Sequence, residues 1–394
     1  MRLIFTALLM AVAPLLSANA QEAPDTGPVS TAVTLEVGKR FQIQSAILGE
    51  SRDILVRLPV GYEEGENSYP VIYVLDGNNH FFHASIGAGL LEENDRMPES
   101  IIVALPNGDG TRGRDLAREM DNFRRFIGEE VFAFVDANYR TSGQKSLFGH
   151  SLAGFFTLTM LVDHSDMFDA YIAASPVVQA RNSELIAKFE KLFEAKPALK
   201  KALYLTLTDA AEEGLAATDA LNQLVKLLEE KAPQGLVWRY DFIGAQVHMT
   251  TPALTAYQGL SYVFTDYQAP SFVSVDMYKA AGGMPAFKER FVKRGAKYGR
   301  ESQIPQETMR RLAYLHMREG LHDDALTLFS QNQKNFPESP RIYNSLGDGY
   351  DAAGMTEDAL KAYKKAAALA EAQASPNVNF FKRQVARIEE KLAD

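Results

Sequence analysis

The chain has 394 residues, of which 46% are hydrophobic and 23% charged, and its formal net charge is −9. Such a composition is typical of a globular protein and excludes disordered and fibrous classes. The acidic balance argues against a nucleic-acid partner, because phosphate binding requires a basic surface. The absence of cysteine from the sequence excludes disulfides, thiolate metal ligands and a cysteine nucleophile.

The first twenty residues have the pattern of a secretory signal peptide. Met1 and Arg2 give a positive start, residues 3–16 form an apolar run, and residues 18–20 (ANA) provide a small-x-small cleavage site. Residues 21–33 are rich in Pro, Ser, Thr and Gly and are predicted to be a flexible leader. We therefore expect an exported protein, periplasmic or released, with no membrane insertion after signal cleavage.

Residues 34–268 are predicted to form an α/β domain, because short β-rich apolar runs alternate there with helical patterns. The first two runs alternate polar and apolar residues, as antiparallel strands with one solvated face do. The later runs are continuously apolar, as in buried strands of a mainly parallel sheet. The predicted strands are 41–44, 54–58, 71–75, 101–105, 146–148, 170–173, 203–207 and 237–242, and the clearest helical patterns are 123–139, 185–193 and 215–228.

Residues 301–394 have helical patterns only, and residues 306–339 align with residues 340–373 at an offset of 34. The period and the recurring small residues resemble the tetratricopeptide repeat (TPR). Matching pairs include Leu312 with Leu346, Ala313 with Gly347, Gly320 with Gly354 and Ala325 with Ala359. We predict a small all-α, TPR-like domain joined to the α/β domain by a linker at 269–300. Two repeats are fewer than independent stability usually needs, so we expect this domain to dock on the catalytic domain.

The strongest local motif is the sequence GHSLAG at 149–154, which contains Ser151. A predicted strand precedes it and a helical run follows it, which is the context of a nucleophile elbow, the sharp strand-to-helix turn that exposes a serine hydroxyl. Ala153 stands where the strict G-x-S-x-G pattern has its last glycine. We predict Ser151 to be a nucleophile.

A serine hydroxyl is a poor nucleophile unless a neighbouring base takes its proton. In an α/β domain with this elbow, the base follows the last strand, in the order serine, acid, histidine. His248 lies there, between the predicted strand 237–242 and a final helix. The other histidines lie in the repeats, lie too early in the chain, or point away from the serine; they are His80, His83, His150, His164, His316 and His322.

The acid is expected in the loop after the predicted strand 203–207, where three carboxylates compete. Asp209 and Glu212 are the leading candidates and Glu213 is the third. Its task would be to fix the histidine tautomer and to stabilise the imidazolium. The alternative for each is a charge that only stabilises a helix N-terminus.

The oxyanion hole is expected to use two backbone N–H groups. The first is that of Leu152, which follows the nucleophile. The second is that of Asn78, after the predicted strand 71–75, where Gly77 allows the chain to turn inward.

Five motifs in the segment from about residue 40 to 265 carry a resemblance to a known family: YPVIYVLDG, PNGDGTRGRDL, FRRFIGEEVFAFVDANYRT, GHSLAG and MFDAYIAASP. The segment resembles the esterase family that includes esterase D and the enterobactin-type siderophore esterases. The resemblance implies an α/β-hydrolase fold and a Ser–His–acid hydrolase of esters, thioesters or lactones. It also suggests that Arg112 or Arg114 lines the substrate mouth, although packing roles are equally open. The family's usual glycine is absent at Thr208, so the acid stays open.

These observations predict an exported serine hydrolase of small-molecule carboxylic esters, such as siderophore lactones or carbohydrate acyl esters. No spacing typical of metal ligands or phosphate loops occurs, so we predict neither a metal nor a cofactor. The alternative is a non-catalytic binding or scaffold protein, in which the repeats recruit a protein partner.

Overall fold

A computed structural model describes residues 32, 33 and 35–393, except for the side chains of residues 181 and 182. The predicted signal peptide and almost all of the predicted leader therefore lie outside the described residues. Val37 and the described residues after it belong to one compact unit. In this described part, no helix has the length and apolar character needed to cross a membrane.

An eight-stranded sheet with the order β1-β2-β4-β3-β5-β6-β7-β8 is the framework of the fold. β2 pairs antiparallel with both β1 and β4, and the other pairs are parallel. The two antiparallel strands at one edge alternate in burial, whereas β3, β4 and β6 are buried along their whole length, as their apolar runs predict. The strands are β1 Lys39–Ser45, β2 Glu50–Arg57, β3 Tyr69–Leu75, β4 Ile101–Leu105, β5 Thr141–His150, β6 Ala170–Ala174, β7 Ala202–Leu207 and β8 Val237–Phe242.

Helices cover both faces of the sheet, because successive side chains of a buried strand point to opposite faces. In β3, Tyr73 belongs to one apolar core, together with α4, α5 and α7, while Ile72 and Val74 belong to another, together with α1 and α8. The helices are α1 Gly77–Glu93, α2 Met120–Arg125, α3 Phe132–Asn138, α4 Leu152–Asp163, α5 Glu184–Ala195, α6 Ala210–Glu213, α7 Leu215–Lys231 and α8 Thr251–Val263, with π-helical turns at Arg114–Arg118 and Phe126–Val131 and a 3₁₀ turn at Ala180–Ser183.

The segment 269–300 is not the extended linker that the sequence suggested. It forms α9 (Val275–Ala280) and α10 (Gly283–Tyr298), which ends at Gly299 with a φ of 66°. Phe287 and Phe291 of α10 lie in an apolar core shared with the helices that follow. Their four-residue spacing is a helical signal that the sequence already contains.

The C-terminal region forms two antiparallel helical hairpins followed by a last helix. The hairpin turns at Gly320 and Gly354 have the same φ of 77°, and their positions reproduce the offset of the sequence repeat. A Cβ at Gly347 would approach the Tyr363 ring to 2.8 Å, which explains why a small residue recurs there. Assignment of the hairpins to the TPR family stays a prediction. The helices are α11 Gln306–Arg318, α12 His322–Asn335, α13 Pro340–Ala352, α14 Thr356–Ala372 and α15 Val378–Ala393.

Helix α10 and the residues after it attach the helical region to the sheet domain. The Arg294 guanidinium lies 3.8 Å from the centre of the Tyr267 ring and 3.0 Å from Asp95. Arg300 stacks at 4.5 Å over the ring of Tyr69, the first residue of β3, and donates a 2.7 Å hydrogen bond to the carbonyl of Glu99, just before β4. The attachment therefore lies at the amino ends of the parallel strands.

We expect Arg294→Ala to destabilise the sheet domain by about 2 kcal/mol, because it removes a buried cation–π contact and leaves Asp95 without its partner. Urea denaturation followed by the fluorescence of Trp238, the single tryptophan, which lies in β8, measures the change. Lys293→Ala is the matched control, since this neighbouring side chain is 75% exposed. Equal midpoints for the two variants would contradict the prediction.

Candidate functional site

Ser151 occupies a sharp turn between β5 and α4. Its φ of 59° and ψ of −117° lie in a region that residues other than glycine rarely adopt. The Ser151 N–H donates a 2.9 Å hydrogen bond to the carbonyl of Ala174, at the end of β6, and the Ser151 carbonyl accepts from the amide of Val177 at 3.3 Å. The turn is thus held by the neighbouring strand, and it presents the serine at the carboxyl edge of the sheet.

The small residues around the turn are required by close approach. A Cβ at Gly149 would collide with the carbonyl of Ala153, and one at Gly154 would come within 3.0 Å of the Cα of Pro176. Ala153 itself is fully buried. The site therefore accommodates a methyl group at the position where the strict motif has glycine.

His248 lies in the loop between β8 and α8, and its Nδ1 is 2.7 Å from Oε2 of Glu213. Glu213 is the last residue of the short helix α6, and its side chain is only 4% exposed, whereas that of His248 is 29% exposed. A carboxylate in this position can hold Nδ1–H, so that Nε2 is the nitrogen left to accept a proton.

The two leading candidates for the acid do not contact His248. Oδ2 of Asp209 accepts a hydrogen bond from the Ala245 amide at 2.9 Å, which ties the acid loop to the histidine loop. Glu212 is exposed to solvent. The structure brings His248 together with Glu213, the third candidate, instead. Successive helical residues point about 100° apart, so the choice between Glu212 and Glu213 depends on where α6 begins.

The Glu213 carboxylate is held in its charged form. Burial raises its pKa, but hydrogen bonding to His248 and Ser175, with a smaller contribution from the Thr208 backbone, outweighs burial, so the pKa lies below its usual value. Its other oxygen, Oε1, is buried and lacks a hydrogen-bond partner of standard geometry within the described part of the chain. Glu213 is therefore ionised at neutral pH and can stabilise an imidazolium at His248.

His150, the residue before Ser151, contacts His248 directly. The ring of His150 is 4.6 Å from that of His248, centroid to centroid, and its Nε2 is 3.0 Å from the His248 carbonyl oxygen. Among the described residues, no hydrogen bond joins the Ser151 hydroxyl to His248. Such bonds are often long without substrate and shorten in the reacting complex.

The two predicted oxyanion donors lie at helix N-termini on adjacent strands. Asn78 is in the first turn of α1 and Leu152 begins α4, and the strands before them pair Val74 with Phe148. First-turn amides have no partner within their helix, and neither N–H donates a hydrogen bond to any described residue. Both helix dipoles therefore favour negative charge at this edge of the sheet.

The two arginines suggested for the substrate mouth have different environments. Arg112 forms a two-point ion pair with the buried Asp76, at 2.8 Å for each bond, and its Nη2 is 3.4 Å from the His150 carbonyl oxygen. Arg114 instead pairs with Glu50 of β2 and with Asp115. Arg112 therefore lies beside the elbow, where it pairs with Asp76, the residue directly before α1 and Asn78. Arg114 does not lie there.

Two buried histidines that the sequence analysis set aside line the same site. Burial lowers the pKa of His150 to about 3 and that of His80 to about 4. Their rings meet edge to face at a centroid distance of 5.3 Å. Both are therefore neutral near pH 7. The signal for them in the sequence was their position directly after β3 and directly before the serine.

We expect acid to destabilise the fold already above pH 5. The unfolded chain binds protons at His80 and His150 below pH 6.5, while the folded chain does not until pH about 4 and about 3. As the pH is lowered, the free energy of unfolding should therefore decrease, by up to about 1.4 kcal/mol per pH unit for each of the two histidines. Urea denaturation between pH 6.5 and 5 measures this slope. His80→Asn should make it shallower, and an unchanged slope would contradict the prediction.

Comparison with known proteins finds similarity to esterases. Residues 45–225 match the family model described as "Putative esterase". The ferri-bacillibactin esterase BesA of Bacillus subtilis (strain 168) is 29% identical over 152 residues, which are 30% of this chain and 52% of that protein. The chain therefore spans about half the length of that curated relative.

Solved structures confirm the predicted fold class, in which helices flank a mainly parallel sheet. An IroE-like serine hydrolase from Shewanella oneidensis superposes with a TM-score of 0.59 and 20% identity, over 75% of this chain and 99% of that one. A protein from Capnocytophaga ochracea DSM 7271 gives a TM-score of 0.61 and 15% identity, over 89% of this chain and 99% of that one. At these identities the structural likeness concerns the fold alone. Residues 45–225 thus resemble an esterase family in sequence, and the chain shares its fold with these solved structures.

Proposed function

We propose that the protein is a serine hydrolase that cleaves carboxylic esters, with Ser151 as nucleophile, His248 as base and Glu213 as the acid that orients the base. The observation that carries the proposal is the 2.7 Å contact between His248 Nδ1 and Glu213, in a loop bonded to the residue beside Ser151. The match of residues 45–225 to an esterase family model supports the same reaction class.

The reaction follows from the roles of these groups. Nε2 of His248 takes the proton of the Ser151 hydroxyl as Oγ attacks the carbonyl carbon of the ester. The N–H groups of Leu152 and Asn78 stabilise the oxyanion that forms. The intermediate then collapses to an acyl-enzyme, and His248 gives its proton to the departing alcohol. Water, activated by the same histidine, releases the acid and restores Ser151.

The substrate class is part of the proposal. The relative named as a ferri-bacillibactin esterase supports a siderophore ester or lactone as substrate. The signal-like pattern of residues 1–20 supports export, most simply to the periplasm. A siderophore esterase there would act on molecules that enter from outside the cell.

A second candidate function concerns the helical repeats, which would recruit a protein partner while the sheet domain serves as a non-catalytic platform. It is favoured by a cavity of about 540 Å³ that α11, α13 and α15 line with Tyr314, Asn344 and Phe381. The charged Glu213 beside His248 has no purpose in a non-catalytic platform, so we prefer the hydrolase.

We expect Ser151→Ala to abolish hydrolysis of short p-nitrophenyl esters by the mature protein, with a loss of at least about 10³-fold in kcat/KM. Circular dichroism of the variant should match that of the wild type. Ester hydrolysis that survives in the folded variant would show that another residue is the nucleophile. If the wild type hydrolyses neither p-nitrophenyl esters of any acyl chain length nor a siderophore trilactone, the binding role would be favoured.

We expect Glu213→Gln to lower kcat by about 10²–10⁴-fold, because an amide cannot stabilise the imidazolium of His248. Glu212→Gln is the matched control, since it makes the same change one residue away on an exposed side chain. Steady-state kinetics on one p-nitrophenyl ester compares the two. A larger loss in the Glu212 variant would assign the acid to that residue.

A further inference from the structure

We propose that His150 is a positioning residue, whose neutral imidazole fixes the loop of the catalytic histidine by donating its Nε2–H to the main-chain carbonyl of His248. This inference rests on the proposed function, because it assigns His150 a role in placing His248 for the reaction. It also predicts a hydrogen bond that can be observed without any activity.

The proton position follows from the partner. His150 Nε2 lies 3.0 Å from the carbonyl oxygen of His248, and a carbonyl oxygen can only accept. Nε2 must therefore carry the proton. The residue is 3% exposed, so water does not compete for this bond.

The loop that carries His248 is held mainly by hydrogen bonds, among them those of Asp209 to the Ala245 amide and of Thr208 to the Gln246 carbonyl. Val247 and Met249 on either side are 47% and 61% exposed, so apolar burial does not fix the loop. The His248 carbonyl accepts a second hydrogen bond, from the Thr251 hydroxyl at 2.9 Å. The Thr251 hydroxyl is in turn 3.1 Å from the Ser175 hydroxyl. The His248 carbonyl thus accepts from two buried side chains, and His150 is the one adjacent to the serine.

The same residue contacts the opposite half of the site. The His150 carbonyl faces Nη2 of Arg112. The same guanidinium pairs with Asp76, which directly precedes α1 and the proposed oxyanion donor Asn78. The ring of His80, from the first turn of α1, packs against the ring of His150. His150 therefore lies between the segment that supplies the Asn78 amide and the loop that supplies the base.

Neutrality suits this role. The titratable and charged groups that face the His150 ring are His248, His80, Asp76 and Arg112, of which the last two pair with each other. A charged His150 would repel the imidazolium that forms at His248 during the reaction. Because burial keeps the ring uncharged, it donates its hydrogen bond without competing for the proton that His248 carries.

The test uses the full-length mature protein and two substitutions. His150→Phe keeps a ring of similar size but removes the donor, and His150→Gln keeps an N–H donor. We expect His150→Phe to lower kcat on a p-nitrophenyl ester at least 10-fold while KM changes less than threefold, and His150→Gln to recover most of kcat. His164→Phe, far from the site, serves as the control.

An unchanged kcat in folded His150→Phe would overturn the proposal. Equal losses in both variants would overturn it too, because they would assign the effect to ring packing. Histidine-selective ¹⁵N NMR gives the readout that does not depend on activity. It should show one imidazole in the Nε2–H tautomer down to about pH 4, whose signal disappears in both variants. If the wild type shows this tautomer but hydrolyses no ester, and Ser151 is unreactive toward a fluorophosphonate, the proposed function fails while the hydrogen bond is confirmed. If the wild type shows a different tautomer, the hydrogen bond does not exist and this inference fails.

Discussion

The backbone of Ser151 has a conformation that costs about 1–3 kcal/mol in an ordinary residue, and it persists because its surroundings leave no alternative. The strand before it is paired on both sides, with β3 and with β6. The amide of Ser151 is bonded to Ala174 across that pairing. Gly149 and Gly154 allow the backbones to pass at distances that a side chain would block. Every other part of the site is placed relative to this turn, since β3 supplies the oxyanion segment and β7 and β8 lead to the acid and the base.

The architecture separates the site from the helical region. The four parallel strands that carry site residues present them at their carboxyl ends, where two helix N-termini also point. Arg294 and Arg300 attach the helical region near the amino ends of the same strands. Binding of a partner to the repeats would therefore leave the serine edge open, and the two functions could operate on one chain. The helical region acts on the sheet domain through the stability of its amino edge.

The features that a single sequence predicts here are those set by local pattern. Alternation predicted β1 and β2, and apolar runs predicted the parallel strands, most of which are buried. β8, predicted as a buried strand, instead lies at the edge of the sheet and is only partly buried. Ser151 and His248 followed from a motif in its context and from chain order. Glu213 could not be chosen over Glu212, because one residue of shift in a four-residue helix turns a side chain from solvent into the site. The segment 269–300, predicted as a linker, contains α10, whose helical spacing of Phe287 and Phe291 is present in the sequence. The pairing of Arg112 with Asp76 joins residues 36 positions apart and depends on loop conformation alone.

The charges around His248 are arranged for one event. The charge of Asp76 is neutralised by its ion pair with Arg112, and burial keeps His80 and His150 neutral. Glu213 is left as a buried carboxylate, and within the described part of the chain its one ion pair is with His248. In the proposed reaction, a proton taken from Ser151 would therefore not create an isolated charge at His248, because it would form an ion pair with Glu213. The same arrangement explains why the residue beside the serine is a histidine that stays uncharged: it can bind the backbone of His248 tightly while leaving the local charge unchanged when the proton arrives.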